Sequence, residues 1–174
     1  MVDPLPLDAQ AGKLRAADAD LHFDISQLGV FLGEWDLQGR QLEGPFGPDM
    51  EIAGCEKVEW LVGGRFLLMR LEGRVGQDEM ACVEITGEAD NGHGFRAHTF
   101  YNDGSHREWK LGVRDGVWIR TGEENAAGEH LRTRCLTTFS GDGATQSGKW
   151  EYSRDGESWT PFWEVVLRRR AISN

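Results

Sequence analysis

Cysteine, tyrosine and proline are scarce in this chain of 174 residues, which contains three, two and five of them. Cys55, Cys82 and Cys135 are odd in number and far apart, so the sequence predicts neither a disulfide framework nor a metal site built on closely spaced thiols. We expect buried free thiols in a reducing compartment. No apolar segment approaches the roughly 20 residues of a membrane-spanning helix.

The first 20 residues, MVDPLPLDAQAGKLRAADAD, also lack the continuous apolar run of a secretory signal. We therefore predict a cytoplasmic protein that has no membrane partner. Residues 1–20 are expected to form a flexible tail, and residues 21–170 a single domain. The oligomeric state is left open, with a homodimer among the alternatives.

Basic residues are outnumbered, since 19 Lys and Arg face 29 Asp and Glu and give a formal net charge of −10. Such a chain repels phosphate backbones. The basic run Arg168, Arg169 and Arg170 is too short to reverse this, so no nucleic-acid partner is expected.

Glycine and tryptophan are plentiful, with 23 and 7 copies, and glycines recur in turn signals such as NDG (102–104) and RDG (114–116). Asp-Gly and Asn-Gly favour tight hairpins. Nine such signals separate ten candidate strands, after a short helix in 21–32 that Asp24 or Ser26 would cap. We predict an all-β, closed, up-and-down antiparallel barrel with this helix near one end. A two-sheet sandwich is the alternative.

Side chains alternate across a strand, so the position of a residue within its strand assigns its face. This alternation places two charged residues, Glu56 and Arg107, on otherwise apolar inward faces. The facing of Glu84 and His98 is ambiguous. A ten-stranded barrel is wider than side chains fill easily, which predicts a lumen that holds water or a ligand. The predicted ligand-binding residues are Glu56, Trp60, Met69, Glu84, His98, Tyr101, Arg107, Trp109 and Trp163.

Three functions are compatible with this pattern. In the first, the lumen binds a small apolar or amphipathic molecule, and Arg107 with Tyr101 fixes its polar or anionic end. In the second, Glu84 and His98 form an acid–base dyad of an enzyme. In the third, an exposed barrel face or the helix binds another protein. We favour the non-enzymatic binding module, with no catalytic residue and no metal site.

The stretch LGEWDLQG (32–39) resembles the Gly-x-Trp opening motif of the calycin barrels, which include lipocalins, fatty-acid-binding proteins and nitrobindins. The segments VEWLVGGRFLLMRLEG (58–73) and DGATQSGKWEYSRDGESWTPFWEVVLRRR (142–170) resemble an uncharacterised bacterial family of such barrels. The resemblance spans most of the chain after the tail. It implies the barrel fold and no established activity.

The resemblance also implies roles for individual residues. In lipocalins an Arg of the last strand stacks over the motif Trp at the closed end, which here implies that Gly33, Trp35 and Arg169 close the barrel. Nitrobindin-like proteins bind haem through a His near the C-terminus, but WTPFWEVVLRRRAISN contains none. His98 or His130 would have to replace it without a supporting motif. Haem binding is therefore an alternative that we do not favour, and no cofactor is expected.

Overall fold

The computed structural model of the protein describes residues 23–89 and 92–171, so the predicted tail, residues 1–20, lies outside the described residues. A 3₁₀ helix, Ile25–Phe31, precedes ten strands. The strands are β1 (Gly33–Gln41), β2 (Met50–Trp60), β3 (Phe66–Val75), β4 (Asp78–Glu88), β5 (Phe95–Tyr101), β6 (His106–Arg114), β7 (Val117–Ala126), β8 (Glu129–Phe139), β9 (Thr145–Ser153) and β10 (Thr160–Arg169).

The strands form one closed antiparallel barrel in which each strand pairs with its sequence neighbours and β1 pairs with β10. In the closing pair, Trp35 lies opposite Arg169 and Leu37 opposite Leu167. The predicted ten-stranded meander is confirmed. The sandwich alternative is wrong, because hydrogen bonds between the first and last strands leave no free sheet edge.

The 3₁₀ helix lies across the end of the barrel where β1 begins. Asp24 caps it by accepting a hydrogen bond from the Ser26 backbone N–H at 2.8 Å. Leu28 is fully buried within the barrel core. Phe31 makes edge-to-face contacts with Trp118 and Phe139, with ring centroids 4.9 and 5.2 Å apart. These contacts close this end with apolar side chains.

The motif Trp35 joins the helix, the first strand and the last strand at this closed end. Its indole is fully buried, and Nε1–H donates to the Phe31 carbonyl at 2.9 Å. The guanidinium of Arg169 lies 4.1 Å from the ring centroid and donates to the carbonyls of Val30, Leu32 and Gly143. Arg169, the side chain that the resemblance implied, thus joins the last strand to the first strand and to the helix.

At two glycines of the same motif, residues of β10 lie too close to leave room for a side chain. Gly33 has φ of +122°, and a Cβ there would collide with the Arg169 guanidinium. A Cβ on Gly39 would collide with the Glu164 carbonyl on β10. A side chain on Gly39 would therefore push β10 away from β1, whereas one on Gly33 would displace the Arg169 guanidinium and strain the backbone.

Three features are missing from residues 23–89 and 92–171. All three cysteines are free thiols. No helix there is long and apolar enough to cross a membrane. No group of three or more His, Cys, Asp or Glu side chains is arranged to hold a metal ion.

Removing the Arg169 side chain should destabilise the barrel, because both the indole contact and the carbonyl hydrogen bonds are lost. We expect Arg169→Ala to lower the free energy of unfolding by about 1–3 kcal/mol. Arg168→Ala is the matched control, since Arg168 points outward and makes one long hydrogen bond, 3.4 Å, to Gln38. Urea unfolding measures both, and equal losses would show that Arg169 does not hold the closure.

Candidate functional site

A cavity of about 510 Å³ occupies the barrel between the helix and the opposite end. Its walls draw side chains from all ten strands, and Leu28 and Phe31 form its floor. At the other end it reaches Asp103, which is exposed, so the cavity opens to solvent there. Its volume falls within the roughly 300–1,000 Å³ of small-molecule sites.

A buried ion pair crosses the cavity from β4 to β7. The Arg120 guanidinium donates to both carboxylate oxygens of Glu84, at 2.5 and 2.7 Å. Thr99 and Thr86 donate to the same carboxylate at 2.6 and 3.2 Å. Burial alone would raise the pKa of Glu84, but Arg120 and these hydroxyl donors hold it below its ordinary value.

Aromatic side chains hold this ion pair in place. Trp109 Nε1–H donates to Thr99 Oγ1 at 2.9 Å, which leaves the Thr99 hydroxyl proton for Glu84. The Arg120 guanidinium lies 5.8 and 5.9 Å from the rings of Trp109 and Trp150. Hydrogen bonds and ring contacts therefore fix both charges. Burial alone would lower the pKa of Arg120, but the Glu84 carboxylate outweighs burial and raises it.

Glu56 is the second carboxylate in the lumen, and it has no such partners. It lines the cavity from β2 and makes no hydrogen bond or ion pair with the residues that the structure describes. Burial, reinforced by repulsion from Glu84 and partly opposed by Arg120, raises the pKa of Glu56 to about 7. The group therefore changes charge near neutral pH.

The mouth of the cavity carries a separate ion pair. Arg107 Nε lies 3.4 Å from Glu124 Oε2, and its guanidinium lies 5.5 Å from the Tyr101 ring centroid. Burial raises the pKa of Glu124, although Arg107 opposes that shift. Arg107 thus faces the lumen as predicted from the alternation, but its charge is already balanced, so it is not a free anchor for an anion.

Two thiols and the Gln146 amide are among the other polar groups of the lining. Burial raises the pKa of Cys82 to about 12 and that of Cys135 to about 11, so both thiols are neutral at pH 7. The side-chain amide nitrogen of Gln146 is buried and lacks a hydrogen-bond partner among the described residues. The apolar lining is therefore interrupted by a small number of hydrogen-bonding groups.

Most of the predicted ligand-binding residues line this cavity. They are Glu56, Met69, Glu84, Tyr101, Arg107, Trp109 and Trp163. Trp60 is not among the lining side chains, because it ends β2 beside the helix and packs against the core cluster there. Trp150, which was not among the predicted residues, also lines the cavity.

The predicted Glu84–His98 dyad is wrong. Glu84 pairs across the sheet with Thr99, and His98 pairs with Ile85, so the two side chains point to opposite faces. His98 is exposed on the outer surface. None of the described histidines lines the cavity, so the structure offers no imidazole there for haem ligation.

Sequence reasoning missed Arg120, which the structure places at the centre of the site. In VWIRTGEENA the alternation offers Val117, Ile119 and Thr121 as the apolar face. The inward face instead carries Arg120, which pairs with Glu84 on β4, and Glu124, which pairs with Arg107 on the adjacent β6. The available signal was that Arg120, Gly122 and Glu124 share one face of β7 and that this face carries charges of opposite sign.

Comparison with known proteins adds information on the fold alone. No protein-family profile matches the chain, and no curated protein matches it. The S-type phycobiliprotein lyase CPES from Guillardia theta is similar in structure, with a TM-score of 0.55 at 8% identity over 86% of this chain and 93% of the lyase. A de novo designed fluorescence-activating β-barrel aligns with a TM-score of 0.44 at 13% identity, over 85% of this chain and all of the design.

The Glu84–Arg120 pair predicts a large, pH-dependent cost for Arg120→Met. The variant leaves Glu84 buried without its counter-charge, and we expect its free energy of unfolding at pH 7 to fall by about 3–5 kcal/mol. The double variant Glu84→Gln/Arg120→Met should lose less than Arg120→Met alone. Unfolding free energies of the wild type, both single variants and the double variant measure the coupling.

The pH dependence of this variant has a defined sign. In the wild type the low pKa of Glu84 stabilises the fold above the unfolded-state pKa, and that contribution is lost as pH falls through the folded pKa. In Arg120→Met burial is opposed only by the Thr99 and Thr86 hydroxyls, so the penalty should shrink in acid as Glu84 becomes protonated. A penalty that is constant between pH 4 and pH 8 would contradict the buried pair.

The raised pKa of Glu56 predicts the opposite dependence of stability on pH. Its folded-state pKa of about 7 exceeds the ordinary value, so stability is lost as pH rises from 4.5 through 7. Glu56→Gln should therefore gain melting temperature relative to the wild type at pH 8, with a smaller difference at pH 5. Glu51→Gln, on the outward face of the same strand, is the control. A difference in melting temperature that is independent of pH would contradict a raised pKa for Glu56.

Proposed function

We propose that the protein binds a small amphipathic molecule inside the barrel. The observation that carries this proposal is the cavity of about 510 Å³, which has an apolar floor, a fixed interior ion pair and an opening at one end. A purely structural barrel would gain stability by filling this space, since every void forfeits packing energy. Retention of an open lumen with hydrogen-bonding groups in its walls is typical of ligand sites.

The distribution of groups along the lumen defines the kind of ligand. Leu28, Phe31 and Val58 line the helix end, where an apolar portion would lie. The middle and the mouth carry Glu56, the Glu84–Arg120 pair and the Arg107–Glu124 pair. The ligand would therefore enter with its apolar part first and keep its polar part towards the middle and the mouth.

The fold likeness and the sequence resemblance support the proposal only as architecture. A phycobiliprotein lyase shares the barrel fold, and the opening motif resembles that of calycin barrels. Membership of the bacterial calycin-like family remains part of the proposal. Enzymatic activity is not included, because the dyad on which it depended is not assembled.

The test is occupancy of the lumen by a neutral dye and by whatever co-purifies with the protein. Nile red should bind with a stoichiometry of one and increase in fluorescence. Met69→Trp, which adds bulk inside the lumen, should weaken binding at least about tenfold. Glu72→Trp, on the outward face of the same strand, is the matched control and should bind as the wild type does.

Native mass spectrometry of the freshly purified protein, compared with its denatured mass, would reveal a retained ligand. Circular dichroism establishes that both tryptophan variants keep the barrel. The proposal fails if the wild type binds no dye and carries no adduct. It also fails if folded Met69→Trp binds the dye as tightly as Glu72→Trp.

A further inference from the structure

The charges that line the lumen do not balance. Three carboxylates, Glu56, Glu84 and Glu124, share the walls with two guanidinium groups, Arg107 and Arg120. Arg120 is engaged by Glu84 and Arg107 by Glu124. Glu56 is the carboxylate left over, and the exposed Asp103 at the mouth adds a further negative charge.

The side chains beside Glu56 also provide no hydrogen-bond donor for its carboxylate. Its neighbours on the inward face of β2 are Gly54 and Val58, and its cross-strand partners are Leu71 on β3 and Trp35 on β1. The Trp35 Nε1–H already donates to the Phe31 carbonyl, so it is not available to the Glu56 carboxylate. Glu56 is half-buried and lines the cavity, so a donor on a ligand inside the cavity can reach its carboxylate. A hydrogen bond to an ionised carboxylate that has no protein donor recovers free energy that partial burial costs.

We propose that the ligand carries a cationic hydrogen-bond donor, such as a protonated amine, that pairs with the Glu56 carboxylate. This inference rests on the proposed function, because it names the chemical class that the same cavity selects. The apolar body of the ligand would occupy the helix end of the lumen. Its amine would supply the positive charge that the walls lack, while an anionic ligand would add to their negative charge.

The other ionisable groups of the lumen lie on β4 to β8 and at its mouth. The Glu84 carboxylate and the Arg120 guanidinium stay charged, with the Arg107–Glu124 pair and Asp103 further out at the mouth. The Cys82 and Cys135 thiols and the Tyr101 phenol stay neutral, because burial raises the pKa of each. The lining side chains of β1, β3, β9, β10 and the helix are uncharged.

The ionisation of Glu56 therefore couples amine binding to pH. The amine pairs with the ionised carboxylate, whose pKa in the empty cavity is raised to about 7. The binding-competent fraction is nearly full at pH 8 and falls about tenfold for each pH unit below 7. We expect amine affinity to weaken by up to about 100-fold from pH 8 to pH 5.

The experiment displaces Nile red with three molecules of equal chain length, n-octylamine, n-octanol and n-octanoate. At pH 8 octylamine should compete at least about tenfold better than octanol, and octanoate should compete worst. The preference for octylamine should disappear at pH 5, whereas octanol affinity should stay constant within about threefold. Each dissociation constant is measured on the full-length protein.

Two variants separate the role of Glu56 from general charge. Glu56→Gln keeps the shape and should bring octylamine and octanol within about twofold of each other at every pH. Glu51→Gln removes an equal charge from the outer face of β2 and should leave the preference intact. Melting temperatures establish that both variants are folded under the assay conditions.

The outcomes distinguish this inference from the function on which it rests. If octanol and Nile red bind but octylamine is not preferred, or if Glu56→Gln keeps the preference, the inference is overturned and the binding function stands. Preferred binding of octanoate overturns it in favour of anion recognition by the arginines. Failure of dye and all three amphiphiles to bind overturns the proposed function itself.

Discussion

Closure of ten strands into one barrel is the constraint on which the rest of the structure depends. Hydrogen bonds between β1 and β10 remove both sheet edges and set a circumference that side chains alone do not fill. One end of the barrel is covered, where Trp35, Arg169 and the 3₁₀ helix meet. Apolar packing therefore concentrates at that end, and the unfilled space lies towards the other.

The interior charges follow from this geometry. A lumen that admits solvent at one end can hold ionised side chains, provided that each is paired or hydrogen-bonded. Glu84 meets this condition with four donated hydrogen bonds, and Glu124 with the neighbouring Arg107. Glu56 does not, and its pKa of about 7 is the physical consequence. The same imbalance is what a cationic ligand would relieve.

The fold was largely predictable because its signals are local. Asp-Gly and Asn-Gly turns mark the hairpins, and alternation within a strand assigned the lumen positions of Glu56 and Arg107. The central ion pair was not predictable, because Glu84 and Arg120 lie 36 residues apart and meet only across the closed barrel. His98 was misplaced as a lumen candidate because its outward neighbour Phe100 is apolar yet half exposed, which blurs the pattern of β5.

The most direct test that Glu56 is the unpaired carboxylate of the lumen is the titration of the glutamate side chains by carboxyl ¹³C NMR. The resonances are assigned with Glu56→Gln and Glu84→Gln. In the empty barrel the Glu56 resonance should titrate near pH 7, while the Glu84 resonance should titrate below the ordinary pKa of a glutamate. Saturation with n-octylamine should lower the Glu56 midpoint by at least about one pH unit, since an opposite charge favours the ionised form. An ordinary midpoint for Glu56 that n-octylamine leaves unchanged would contradict the account.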